Sequence, residues 1–164
     1  MRQRYLIALG SNKRHHRHGR PPQVLRAALQ ALSDAGLHIE GASPVLASAP
    51  LGPSLRRYAN GAVLVACDLA PDALLGLLKT IEQDFGRRSG GQRWSSRVLD
   101  LDLVLWSGGA WSSPGLTVPH AAFRTRDFVL APAQAIAPLW RDPLSGLSLR
   151  QLKARLTRPR PIPR

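Results

Sequence analysis

Apolar and polar positions along this 164-residue chain fall into two rhythms, and each predicts a different kind of element. Tyr5–Leu9 is an unbroken apolar run of strand length, halted by Gly10-Ser11-Asn12. Pro21 and Pro22 can open a helix, because the first turn tolerates proline. Val24, Leu25, Ala28, Leu29 and Leu32 then recur at helical spacing, and Gly36 closes the pattern. Residues 37–49 alternate in part and read as a strand interrupted near Pro44. Residues 50–61 carry two prolines and two glycines and read as a loop, and 62–69 form the strand richest in β-branched residues. In 70–86, Leu74, Leu75, Leu78, Ile81 and Phe85 share one helical face, with Gly86 placed to cap it. A polar loop over 86–97 leads into a strand over 97–106. Residues 108–120 are turn-rich, and 123–138 hold a last short helix. Strands and helices mix without long βαβ regularity and without a repeat, so the class is α+β.

The strand Arg97–Trp106, RVLDLDLVLW, carries two carboxylates in an apolar context. Side chains alternate faces along a strand. Leu99, Leu101, Leu103 and Leu105 are therefore expected on one face, and Asp100, Asp102, Val104 and Trp106 on the other. Two carboxylates about 6–7 Å apart along one strand face repel unless a cation joins them. Magnesium suits such a pair, because it takes one or two carboxylates together with waters and phosphate oxygens. Taken by spacing alone, the pair reads rather as a solvent-facing couple neutralised by arginines, because D-x-D is a weak motif. The preceding loop favours the metal, since Arg87, Arg88, Arg93 and Arg97 with Trp94 lie in a Gly/Ser-rich stretch suited to clamping a polyphosphate.

The bulk numbers narrow the field of functions. The formal net charge is +13, and 20 of the 23 basic residues are arginines, whose planar fork suits phosphate. Charge concentrates at 13–20, 86–97 and 153–164; the last alternates Arg with Pro and is expected to be extended and mobile. No apolar run is long enough to span a membrane, and the first strand is too short for a signal-peptide core, so a cytoplasmic protein is expected. The single cysteine, Cys67, excludes an internal disulfide and reads as a buried, inert thiol. Residues 1–152 are expected to form one domain.

Other polar and aromatic residues have two readings each. His120, behind the LTVP run, can face a phosphate or make a structural hydrogen bond. His15, His16 and His18 look like a metal tract, but their spacing and flanking arginines favour solvated side chains. Asn60 can read the edge of a heterocycle, as can backbone groups near Leu51, or make local turn hydrogen bonds; Tyr58 and Phe128 can stack on a flat ring, although each taken singly reads as apolar packing.

These motifs together resemble the 6-hydroxymethyl-7,8-dihydropterin pyrophosphokinase (HPPK) family. The matching stretches are 5–12, 50–63, 74–87, 93–106, 116–120 and 126–138, in the family's order, with R-x-LDLDL, VPH and R-x-FVL the most specific combination. The resemblance implies a ferredoxin-like α+β fold, an antiparallel-rich sheet flanked by helices. It implies transfer of pyrophosphate from ATP to the dihydropterin, leaving AMP, by a cytoplasmic monomer using two magnesium ions. It assigns Asp100 and Asp102 to metal, and Arg87 and Arg97 to catalysis. The pterin is assigned Leu51, Tyr58, Asn60, Trp94 and Phe128, and ATP is assigned Glu82, Trp94, Arg97, Leu103, Thr117, His120 and Arg126. Ser89 stands where the family carries a second basic residue, and Arg56 and Arg57 replace acidic or Gln-rich positions in a short pterin-side loop, which leaves a modified pterin as a second substrate reading. A nucleic-acid-binding module that kept the fold and lost the chemistry would also suit the +13 charge. It has no need of both acids, Glu82 and His120, so nucleic acid is not the expected partner.

Overall fold

A computed structural model describes residues 2–48, 58–86, 98–159 and 161–162. The elements run β1 (Gln3–Ser11), α1 (Pro21–Asp34), β2 (His38–Ala42), β3 (Leu46–Ser48), β4 (Tyr58–Cys67), α2 (Pro71–Gly86), β5 (Asp100–Trp106), β6 (Trp111–Ser113), β7 (Leu116–Val118), a 3-10 turn (Phe123–Thr125), α3 (Asp127–Ile136) and α4 (Leu149–Thr157). The main sheet has the order β2-β4-β1-β5, antiparallel throughout, with β3 added beside β4. Counting β1-α1-β2, then β4-α2-β5, this is the βαββαβ arrangement of ferredoxin-like folds. β6 and β7 form a separate hairpin.

The central strand β1 divides the apolar side chains between two cores. Tyr5, Ile7 and Leu9 face α1 and α2 with Leu25, Leu32, Leu78, Leu101 and Leu103. Leu6 and Ala8 face α3 and α4 with Phe123, Leu130 and Leu149. The molecule is thus helix, sheet, helix in section, which is why its central strands are apolar on both faces. The Tyr5 hydroxyl donates to the Leu69 carbonyl, and burial pushes its pKa upward. Cys67 is buried in the first core, and burial raises its thiol pKa, the opposite of an activated nucleophile.

Three expectations are corrected. The alternation in β5 holds through Leu103 and then breaks. The β1–β5 register slips between Leu6, opposite Leu105, and Ile7, opposite Leu103. A bulge of this kind re-phases everything beyond it. Val104 and Leu105 therefore both enter the α3/α4 core, while Trp106 packs on the other side. Second, β4 begins at Tyr58, inside the stretch read as a loop, because Ser11–Ala59 and Gly10–Asn60 pairing with β1 extends the ladder. Third, the basic run from Lys153 is helical through Thr157. Its start was written in the sequence as Ser148-x-x-Gln151: Ser148 Oγ accepts from the Gln151 N–H (3.2 Å) and Gln151 Oε1 accepts from the Ser148 N–H (2.9 Å).

Ahead of α4, Asp142 is fully buried. Its carboxylate takes a two-pronged ion pair from Arg124 (2.6 and 2.8 Å) and hydrogen bonds from Ser145 Oγ (2.6 Å) and the Leu144 N–H (3.1 Å). Although burial opposes the charge, these donors hold its pKa well below the ordinary carboxylate range. A depressed folded-state pKa contributes stability above the unfolded value, about pH 4, and loses it as pH falls toward the folded value. Asp142→Asn should therefore cost about 3 kcal/mol at pH 7, since it leaves a half-buried guanidinium without its anion. The gap from wild type should shrink as urea unfolding is repeated below about pH 4. A gap that stays constant with pH would show that the charge of Asp142 is irrelevant.

Candidate active site

The α3/α4 core does not run the length of the sheet. Along that face of β1 the side chains shrink from Leu6 to Ala8 to Gly10. Each is flanked in register: Leu6 by Leu64, Ala8 by Ala62 and Asp102, Gly10 by Asn60 and Asp100. Where the central strand offers no side chain to pack, the core ends and a cavity of about 170 Å³ opens. Its floor is Ala8, Leu9 and Gly10, and its described walls are Tyr58, Asn60, Asp100, Asp102, Arg126, Phe128 and Val129. A Cβ on Gly10 would meet Asn60 Oδ1 at 3.6 Å, an ordinary contact, so glycine here keeps space open rather than relieving a clash. The floor residues were the part missed in the sequence. Gly10-Ser11 read as the end of a strand, yet both belong to β1. The signal lay in the size gradient at alternate positions.

The structure brings together most of the described residues picked out above. Asp100 and Asp102 point into the cavity from β5, one beside Gly10 and the other beside Ala8. Asn60, buried, comes from β4 on the far side of Gly10. Arg126 sits between the 3-10 turn and α3 with its guanidinium carbon 5.7 Å from the Phe128 ring centroid. Tyr58 and Phe128 offer two aromatic surfaces to the same space. The acids, cation, amide and rings therefore share one cleft, where a flat ring and a metal-bound polyphosphate can lie side by side. Among the described residues Asp102 has no ion-pair partner. An acid so placed, next to a second acid, suits a hard divalent cation with oxygen ligands, and the pair fits magnesium.

The other assigned residues that are described do not line this cavity. His120 follows a cis Val118–Pro119 bond; its N–H donates to the Val104 carbonyl (3.1 Å) and its Nδ1 accepts from the Ala122 N–H (3.2 Å). In the neutral ring the proton is then on Nε2, the atom left for a ligand. Thr117 is exposed on β7. The Leu103 side chain is buried in the α1/α2 core, so it can meet a nucleotide only through its backbone on edge strand β5. Glu82 lies half-buried on α2 and is not among the cavity residues. Leu51, Arg87, Trp94 and Arg97 lie outside the described residues.

The histidine tract is corrected in part: His16 is exposed as expected, but His15 is not. His15 is buried, with its ring 4.4 Å from that of His16 and 4.6 Å from that of His18, and His18 stacks on Phe85 at 5.0 Å. Its Nδ1 accepts from the Arg17 and His18 N–H groups (3.0 and 3.1 Å). Burial first, and then the nearby His18, His16 and Arg17, push its pKa down. This segment is a structural plug against the end of α2, and no group of three metal-ligating residues occurs among the described residues.

A βαββαβ sheet between helices carries an aspartate pair, an arginine and two ring surfaces about one cleft, and the family it falls in is one of transferases. The chain belongs to the 7,8-dihydro-6-hydroxymethylpterin-pyrophosphokinase (HPPK) family, whose model matches residues 6–138. It is 38% identical over 156 residues to the 2-amino-4-hydroxy-6-hydroxymethyldihydropteridine pyrophosphokinase of Pseudomonas aeruginosa, covering 94% of this chain and 92% of that one. It is 41% identical over 118 residues to the enzyme of the same name from Synechocystis, covering 72% of this chain and 60% of that one. Wild-type HPPK-DHPS of Plasmodium falciparum, solved with STZ-DHP, shares the fold at a TM-score of 0.73 and 12% identity, covering 94% of this chain and 43% of that one. No described helix is long and apolar enough to cross a membrane.

Filling the floor tests the cleft. Ala8→Leu should weaken 6-hydroxymethylpterin binding more than tenfold by calorimetry while the circular dichroism spectrum stays native. Unchanged affinity would place the ring elsewhere.

Proposed function

We propose that the chain transfers the β,γ-pyrophosphoryl group of ATP to the hydroxymethyl oxygen of 6-hydroxymethyl-7,8-dihydropterin, releasing AMP, as a cytoplasmic monomer in folate biosynthesis. The observation that carries this reading is the register that sets Asn60, Gly10 and Asp100 abreast on one sheet face, with Ala8 and Asp102 one step further in. It puts a ring-reading amide and two acids at opposite walls of a cavity whose floor is nearly bare.

Each residue then has a task. Tyr58 and Phe128 hold the pterin ring flat, and the Asn60 amide pairs with donor and acceptor groups on its edge. Asp100 and Asp102 would hold the two magnesium ions, which would supply charge neutralisation for the transferred group. Arg126 and His120 Nε2 contact phosphate oxygens, and Arg87 and Arg97, which lie outside the described residues, assist the transfer. Leu51 and Trp94 complete the pterin pocket; Glu82, Thr117, Arg97, Trp94 and the Leu103 backbone hold the nucleotide. Positioning and charge neutralisation account for most of the rate in such a transfer, so no nucleophilic side chain is needed.

Conversion of ATP and the dihydropterin to AMP, followed by chromatography, tests the reading. Asp102→Asn should lower kcat by about a hundredfold or more, as loss of preorganised charge stabilisation does, with the fold intact. Wild-type turnover in that variant would remove the acids from the mechanism, and turnover only with a modified pterin would correct the substrate.

A further inference from the structure

Arg126 and Phe128 form one wall of the cleft; the Arg126 carbonyl is held by the Val129 and Leu130 N–H groups at 3.0 Å, but the turn that leads into Arg126 is poorly held by its own bonds. Arg126 is neither in the 3-10 turn nor in α3. It joins them in an extended conformation, φ −112° and ψ 103°, and its side chain makes no capping bond. The turn before it is three residues long, and its hydrogen bonds are long: Phe123 N–H to His120 O at 3.3 Å, Thr125 N–H to Ala122 O at 3.3 Å, Arg126 N–H to Phe123 O at 3.4 Å. Such a turn has weak internal geometry.

Support comes from the chain that follows α3. Arg124 lies two residues before Arg126 and makes its two-pronged pair with buried Asp142, its guanidinium also resting 4.7 Å from the Phe123 ring centroid. Asp142 is itself fixed: its N–H donates to the Leu147 carbonyl and its carbonyl accepts from the Gly146 N–H, both at 2.8 Å, with Gly146 at φ +74°. One residue beyond Arg126, Asp127 accepts from Lys153 Nζ of α4 at 2.5 Å. The two ties flank Arg126, and both partners, Asp142 and Lys153, lie beyond residue 138, where the family match ends.

We propose that the segment 140–157 is a positioning element for the active site, with Arg124 and Asp142 its principal positioning residues and Asp127 and Lys153 a weaker second tie. It presents the Arg126 guanidinium and the Phe128 ring to the substrates at a fixed spacing. The Arg124–Asp142 pair carries most of the effect, because it is buried at the acid and matched fork to carboxylate, a geometry lysine cannot reproduce. The Asp127–Lys153 pair is more open and contributes less. The kinetic part of this inference rests on the pyrophosphokinase reading; the structural part does not.

Two measurements on the whole chain separate those parts. Arg124→Lys keeps the charge and loses the fork; Asp142→Asn loses the charge; Arg124→Gln with Asp142→Asn restores a neutral hydrogen-bonded pair. Backbone 15N relaxation, read at a temperature where each variant is folded, should show motion rising at residues 124–128 in both single variants and returning toward wild type in the double variant. In turnover, KM for ATP and for the dihydropterin should each rise about tenfold in the single variants, with the double variant within about threefold of wild type. Lys153→Met should raise both by no more than about threefold. A merely structural pair would lower the melting temperature and leave KM and local motion of the folded protein unchanged, and that result overturns the proposal. If wild type forms no AMP, the reaction reading fails, and the relaxation data alone decide the positioning claim: ordered 124–128 in the single variants rejects it, and selective loosening upholds it.

Discussion

The pairing of β1 with strands on both sides is the constraint on which everything else depends. An antiparallel strand held between two neighbours cannot slip by one residue without turning every side chain to the opposite face. In β1 that would send Tyr5, Ile7 and Leu9 out of one core and Leu6 out of the other. The core therefore locks the register, and the register decides which residues stand beside Gly10 and Ala8. Asn60 and Asp100 are brought to the two sides of Gly10 by this register, which burial of neighbours such as Leu9, Leu99 and Leu101 holds in place.

The same strand explains how two acids sit in an apolar segment. Asp100 and Asp102 occupy the end of β5 where the sheet face is no longer covered, while Leu99, Leu101 and Leu103 fill the opposite core. Val104 follows the acids on the same face and the bulge adds Leu105 to it, so the face that is acidic at one end of β5 is apolar at the other. One strand thus closes a core and opens a cleft within seven residues. The arginine-rich composition has a use in this setting, since a cleft that takes a polyphosphate needs cations around its rim.

Where the physics was local, the sequence could be read. The helical spacing of Leu74, Leu78, Ile81 and Phe85 and the Leu/Asp alternation through Leu103 both survive in the structure. What was not legible depended on partners distant in the chain. The β5 bulge is a property of its pairing with β1, and nothing in RVLDLDLVLW marks it. Tyr58 and Asn60 join β4 because Ser48 of β3 stands opposite Tyr58 and Gly10 of β1 opposite Asn60, although glycine and proline around them signal a loop. His15 is buried because Phe85, 70 residues on, offers it a surface. The start of α4 was legible from Ser148 and Gln151, but the basic, proline-rich tail masked it. Of the site, the acids, Asn60, Tyr58, Phe128 and Arg126 were recognisable by type and motif. The bare floor was not, because small residues draw no notice until their neighbours are known.

The central claim is that divalent metal binds where β5 meets the open end of β1. Manganese can stand in for magnesium at oxygen-rich sites, and its unpaired electrons broaden nearby amide signals. Titrating 15N-labelled protein with manganese in the presence of a non-hydrolysable ATP analogue should broaden Gly10, Asn60 and residues 100–102 first, and Asp102→Asn should remove that broadening. Broadening centred on His15, His16 and His18, or on none of these residues, would contradict the account.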